Sequence, residues 1–259
     1  MKQVLLMIAA LGIALAPAAS ASASERFEVK GSDGIVISKP GSYTLRRNLT
    51  ARSGLPLITI AADNVSVDLN GFALRGLGDK QGDGIAINGR SNVRVFNGSL
   101  RSFGTAVRVE GSNNVELTGL QISGDDIPGG PPETGILVLN SRAVHIAGNV
   151  ISRTFLGLFV RGGASGGNTI KGNTITGGEN GQLGVCYNPA PGASAATDGP
   201  AGDLVAENHI SRFRTAIQLS EASQSNVFVR NYLNFFELGF DERTPGSNSI
   251  VNNVEIELP

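Results

Sequence analysis

Asn64-Val-Ser-Val-Asp-Leu-Asn-Gly-Phe-Ala-Leu74 and Asn92-Val-Arg-Val-Phe-Asn-Gly-Ser-Leu100 are two copies of one pattern. Each has an Asn, a short alternating aliphatic run, a polar turn, and a closing aliphatic. Weaker copies end at Ile122, Ile151, Ile175, Ile210, Leu233 and Ile256. The closing residues at 74, 100, 122, 151, 175, 210, 233 and 256 step by 26, 22, 29, 24, 35, 23 and 23 positions. A base unit of 22 or 23 residues with occasional insertions explains every step. Self-similarity at such a period marks a solenoid, in which each unit buries its apolar side only against its neighbours.

Working outward, every unit also carries an earlier short strand. These are Ile58-Thr-Ile60, Ile85-Ala-Ile87, Val107-Arg-Val109, Ile136-Leu-Val138, Leu158-Phe-Val160, Val185-Cys-Tyr187, Ile217-Gln-Leu219 and Leu238-Gly-Phe240. A Gly or Ala usually stands before them. Three brief strands of period two therefore make up one unit, separated by Gly, Asn and Ser turns, and helical periodicity is absent from the mature chain. Leucine-rich repeats share the period but need a Leu-x-x-Leu-x-Leu frame, and a propeller blade needs about 40 residues. The pattern predicts an all-β, single-domain, right-handed parallel β-helix of about eight or nine rungs. Rungs about 4.8 Å apart give eight of them a length of roughly 34 Å. Asn149, Asn173, Asn208 and Asn231 fall in one column, where stacked amides can bond from rung to rung as a ladder.

Composition agrees with such a coil. Of the 259 residues, 41% are hydrophobic but only 5% aromatic, with no Trp, so the core must be aliphatic; the 35 glycines supply tight turns. Twenty-one basic against 22 acidic residues leave a formal charge of −1. No global field therefore points to nucleic acid or an anionic membrane surface. Lys2, the apolar run from Val4 to Ala16 and the Ala21-Ser22-Ala23 site predict a signal peptide over residues 1–23. The expected location is periplasmic or secreted, with no membrane partner after cleavage. Cys186 is the sole cysteine, so no internal disulfide forms. Residues 24–55 are read as an N-terminal cap and first rung, with Phe27, Val29, Ile35, Ile37, Tyr43 and Leu45 facing inward. The β-helix proper is read over 56–259. Its unpaired C-terminal edge, guarded by Glu255, Glu257 and Pro259, is a candidate docking surface.

These repeats, with the opening Ile37-Ser-Lys-Pro-Gly-Ser-Tyr-Thr-Leu45 and Asp63-Asn-Val-Ser-Val-Asp-Leu-Asn-Gly71, resemble the pectin-lyase-like right-handed parallel β-helix superfamily. The likeness spans roughly residues 27 to 258. It implies binding or modification of polysaccharide along one outer groove walled by inserted loops, although this scaffold hosts many activities. Two insertions exceed the base unit, Gly124 to Glu133 and Asn188 to Asp203, and both flank the outer face of the first-strand column.

Alternation directs Arg108, Glu110, Leu137, Leu139, Phe159, Arg161, Cys186, Asn188, Gln218 and Asp241 outward on that face. Phe159 suits stacking on a sugar ring, and Arg161 and Arg108 suit a uronate carboxylate. Asn188 and Gln218 add amides, and nearby loops add Asp125, Asp126, Glu133, Arg153, Glu179 and Arg214. The apolar members are equally what two covering loops would hide.

Hydrolysis needs two carboxyl groups about 5 to 9 Å apart. Asp125-Asp126 resembles one element of polygalacturonase-like hydrolases, but their Asn-Thr-Asp and Gly-His-Gly elements have no counterpart here. Lyase or epimerase chemistry needs a uronate carboxylate neutralised by calcium or Arg, and a base near the ring. The resemblance to pectate lyases implies Arg161, Asp125 and Asp126 as its catalytic candidates, with Glu133 and Ca2+ if a lyase cation is used. No other cofactor is expected. His145 and His209 are the only histidines and read as surface residues, and no His/Cys metal motif is present. The alternative is a non-catalytic glycan-binding or interaction scaffold.

Overall fold

The computed structural model describes residues 34–78, 81–125, 133–188, 199–243 and 247–259, with the backbone of Arg26–Glu28. The predicted signal peptide, Asp126, the side chains of Phe27 and Val29, and most of the second insertion lie outside the described residues.

The chain forms a right-handed parallel β-solenoid of about eight turns. Each turn contributes one strand to each of three parallel faces, here called the first, second and third sheets. Ile58–Ile60, Val65–Asp68 and Ala73–Arg75 are one such turn. Ile35–Ile37, Gly41–Thr44 and Leu49–Thr50 pair with them one by one, so the predicted cap supplies a full turn of its own. In the middle and later turns two sheets are sometimes joined without a break, as in Ser91–Arg101, Asn113–Ser123, His209–Leu219 and Tyr232–Glu242.

Register follows the repeat. Leu49, Leu74, Leu100, Ile122, Ile151, Ile175, Ile210 and Leu233 stack on the third sheet. All are buried. Ile256, expected as the eighth closing aliphatic, does not continue the stack: Leu233 pairs with Glu255, and Ile256 pairs with Asn234 and is exposed. Ile37, Ile60, Ile87, Val109, Val138, Val160, Tyr187 and Leu219 form the matching buried stack on the first sheet. The residue before the first strand is small for a steric reason. A Cβ on Gly157 would lie 2.4 Å from Ile175 Cγ2 and 2.5 Å from the Gly184 carbonyl oxygen. At this corner the third strand of a turn presses back on the first strand of that same turn, and no side chain fits between them.

The corner between the second and third sheets holds the expected Asn ladder, extended to a fifth member. Asn149, Asn173 and Asn208 each donate Nδ2 to the Oδ1 of the next Asn at 3.0 Å, and Asn231 does so to Asn253 at 2.9 Å. A second ladder, not evident in the repeat, runs up the corner between the first and second sheets through Asn168, Asp203, Asn226 and Asn248. Three serines precede it, Ser112, Ser141 and Ser165, each N–H of the first two meeting the hydroxyl above at 3.1 and 3.2 Å. These ladders satisfy the backbone groups that a bend strips from the sheet, a necessity in a buried corner.

Candidate functional site

The outer face of the first sheet carries the predicted column. Arg108, Leu137, Phe159, Cys186, Gln218 and Asp241 stand one behind another in register. Glu110, Leu139, Arg161 and Asn188 form the column beside them. The Arg161 guanidinium carbon lies 5.5 Å from the centroid of the Phe159 ring, the geometry of a cation–π pair. Leu137, Leu139 and Phe159 are half-buried, so the face is neither open nor sealed.

The other members are tied to one another. Arg108 Nε donates to Asp83 Oδ2 at 2.8 Å, and this contact raises the guanidinium pKa and neutralises its charge locally. Gln218 Nε2 donates to Asp241 Oδ2 at 3.0 Å. Asn188 Nδ2 donates to Cys186 Sγ at 3.5 Å, and the thiol donates on to Gln218 Oε1 at 3.6 Å. Cys186 follows the outward alternation yet is fully buried. Burial pushes its thiol up to about 12, against the lowering influence of Arg161 and Arg243. The thiolate is the reactive form. Native protein is therefore expected to stay unmodified by iodoacetamide at pH 8 and to take one carbamidomethyl group only after denaturation, as read by intact mass.

Asp125, Glu133 and Arg153 gather elsewhere, at the corner where the third sheet turns into the first. Glu133 is buried; both its carboxylate oxygens accept the Asp125 N–H, at 3.0 and 3.1 Å, closing the base of the inserted loop. Asp125 Oδ1 accepts from the Ser102 hydroxyl at 2.7 Å. Arg153 donates to Ser123 Oγ at 2.9 Å. Asp125, Ser102, Ser123 and Arg153, without Glu133, line a shallow cleft of about 330 Å3 with Arg75 and Arg101. A smaller hollow of about 210 Å3 continues it along the third sheet past Gln121, Val150 and Ser152. Ser102 and Arg153 hold left-handed backbone, at φ of 63° and 52°, which non-glycine residues adopt sparingly.

Sequence reading missed Arg75, Arg101, Ser102 and Ser123. A signal was present, because Arg75 and Arg101 each follow the closing aliphatic of the two clearest repeats. The structure thus brings together Phe159 with Arg161, and Asp125 with Glu133 and Arg153. It does not bring Asp125 to Arg161. Asp125 sits where the chain enters the first sheet, and Arg161 ends the six-residue strand Leu156–Arg161 on its far side. At about 3.3 Å per residue these ends are roughly 16 Å apart.

The sequence profile of the family described as "Periplasmic copper-binding protein (NosD)" matches residues 58–254. No curated protein matches the chain. Among solved structures, alginate lyase from Paenibacillus sp. str. FPU-7 superposes with a TM-score of 0.62 at 11% identity, covering 89% of this chain and 95% of that one. A hyperthermoactive exopolygalacturonase from Thermotoga maritima gives 0.61 at 11% identity over 89% of this chain and 70% of that one. Pectate lyase from Bacillus sp. N165, in complex with trigalacturonate, gives 0.58 at 14% identity over 92% and 84%. At these identities the superpositions establish a shared β-helix architecture, and the match over most of the coil establishes that the chain belongs to the NosD family.

Proposed function

We propose that this protein is an exported β-helix that holds an acidic, uronate-containing polysaccharide along the outer face of its first sheet. The observation that carries this reading is the Phe159–Arg161 pair, a ring and a guanidinium stacked on one outward face beside Leu137 and Leu139. The ring offers a platform for a sugar face, and the guanidinium offers two parallel donors to its carboxylate. The structural neighbours add support, since alginate lyase, exopolygalacturonase and pectate lyase act on uronate polymers with the same coil.

Binding is favoured over turnover by the separation of Arg161 from Asp125, which keeps the candidate lyase residues from one bond. The acidic set proposed for calcium is also engaged, Glu133 by the Asp125 N–H and Asp125 by Ser102.

Copper, which the family description names, is not served by this donor set. Imidazole, thiolate and thioether are its usual ligands. The sequence has two histidines, one cysteine and two methionines, the latter at positions 1 and 7. His145 lies on the outside of the second sheet, His209 on the third against Tyr232, and the Cys186 thiol is buried on the first. Among the described residues no three His, Cys, Asp or Glu side chains are placed to hold a metal ion.

Titration calorimetry with oligogalacturonate and oligoalginate tests the proposal. Binding is expected, weakened about tenfold or more by Phe159→Ala or Arg161→Ala, without new ultraviolet absorbance from unsaturated ends. Equal affinity in both variants would remove the first-sheet face as the site, and rising absorbance would replace binding with lyase chemistry.

A further inference from the structure

On the outside of this solenoid, several cations are stacked against carboxylates one rung away. Arg94 meets Glu116 at 3.3 Å, Arg108 meets Asp83 at 2.8 Å and Arg214 meets Glu237 at 2.7 Å. Glu207 takes both Lys171 at 3.4 Å and Arg230 at 2.6 Å. Arg75 and Arg101 are placed differently. They are register partners on adjacent third-sheet strands, so arginine stacks directly on arginine with Cα atoms about 4.8 Å apart. Like charges placed opposite one another on a sheet are destabilising, by about 1 kcal/mol for contact in water. Both side chains are exposed, and among the described residues neither forms an ion pair.

The same cleft adds a third exposed arginine, Arg153, and the hydroxyls of Ser102 and Ser123. Among the described lining residues Asp125 is the one carboxylate against three arginines. Register through Ser123 and Ser152 places Arg153 three rungs from Arg75, a span of about 14 Å. Such a span exceeds one small anion and fits successive charged groups on a polymer. Guanidinium forks match the oxygen geometry of carboxylate, sulfate ester and phosphate ester alike.

We propose that the corner cleft of Arg75, Arg101 and Arg153 is a second site, distinct from the first-sheet face, that binds successive oxyanion groups of a polyanionic glycan. The glycan as carrier rests on the functional reading above; the anion site itself does not.

The purified chain is titrated by calorimetry at low salt with three probes: a heparin-derived hexasaccharide, hexagalacturonate and sodium sulfate. At least one oligosaccharide is expected to bind ten times or more tighter than sulfate. Preference between the two identifies sulfate ester or carboxylate as the group read. The exposed double variant Arg75→Ser/Arg101→Ser is expected to lose that affinity at least tenfold while unfolding at or above the wild-type temperature. Arg94→Ser, which removes a paired arginine from the second sheet, serves as the control that leaves this binding unchanged. Undiminished affinity in the double variant, or oligosaccharides binding no tighter than sulfate, would overturn the site. Tighter binding of a single-stranded oligonucleotide of equal charge would overturn the glycan carrier. Loss on Phe159→Ala alone would return all binding to the first-sheet face.

Discussion

Replacing Asn173 by alanine is expected to destabilise the fold by about 3–4 kcal/mol, the largest effect we foresee for one polar side chain. Asn173 is buried in the middle of the five-member ladder. Its Oδ1 accepts from the Asn149 N–H at 2.9 Å and from Asn149 Nδ2 at 3.0 Å. Its Nδ2 donates to the Ile146 carbonyl at 2.9 Å and to Asn208 Oδ1 at 3.0 Å. Alanine leaves the Asn149 N–H without a partner in a corner closed to water, and each buried orphan costs about 1–3 kcal/mol. Asn173→Asp keeps the accepting oxygen and loses the donor, so its cost at neutral pH should include a buried charge. Denaturant unfolding of both variants checks the magnitude. Hydrogen exchange should localise the loss to the rungs of Asn149, Asn173 and Asn208, because a solenoid couples nearest neighbours most strongly. A cost below 1 kcal/mol for Asn173→Ala would show the ladder to be incidental.

The second large effect has the opposite sign. Asp203 occupies a buried position in the other ladder, between Asn168 and Asn226. It accepts from the Asn168 N–H at 2.8 Å and from Asn168 Nδ2 at 3.1 Å, and its own N–H reaches Asn226 Oδ1 at 2.9 Å. An ionised carboxylate has no proton to pass on to Asn226, whereas Asn226 itself donates Nδ2 to Asn248 Oδ1 at 3.0 Å. Burial raises the Asp203 pKa, partly offset by the two Asn168 bonds and by the adjacent Tyr187 hydroxyl. That phenol is pushed well above its usual range, first by its own burial and then by Asp203.

The sign for stability follows from which state holds the proton. Because the folded pKa exceeds the unfolded one, the folded chain binds more protons in the interval between them. The contribution of Asp203 to stability is greatest below the ordinary aspartate range near pH 4 and falls as pH rises through the raised value. Asp203→Asn should therefore stabilise the protein at pH 7, by about 2 kcal/mol from one completed hydrogen bond and one removed buried charge. The gain should shrink toward pH 4, as Asp203 takes up a proton. Thermal unfolding of both proteins from pH 4 to pH 8 checks this. A difference that does not grow with pH would mean that Asp203 is not charged at neutrality.

The coil was readable because its information is local and repeated. A closing aliphatic such as Leu74 or Leu100 must be buried on every turn, so it recurs at a near-constant spacing. A glycine such as Gly157 must recur where the sheets press together. The first ladder was readable for the same reason, with Asn149, Asn173, Asn208 and Asn231 holding one place in successive repeats. The second ladder was hidden by its own irregularity, since Asp203 interrupts Asn168, Asn226 and Asn248, and Ser112, Ser141 and Ser165 serve a column beside it. The outward set on the first sheet followed from alternation, but its pairing did not. Nothing in the strand pattern ties Arg108 to Asp83, or seals Cys186 between Asn188 and Gln218.

Sequence alone therefore determined the rung, its three strands, the inward stacks and the first ladder, because burial in a solenoid imposes the same demand every 22 or so residues. Only the tertiary structure decided which outward residues meet. Winding sets residues 22 to 35 positions apart about 4.8 Å from one another, and insertions of unequal length fix which ones are neighbours. That winding placed Arg75 upon Arg101 and Arg153 beyond them, and carried Asp125 and Arg161 to opposite ends of the first sheet.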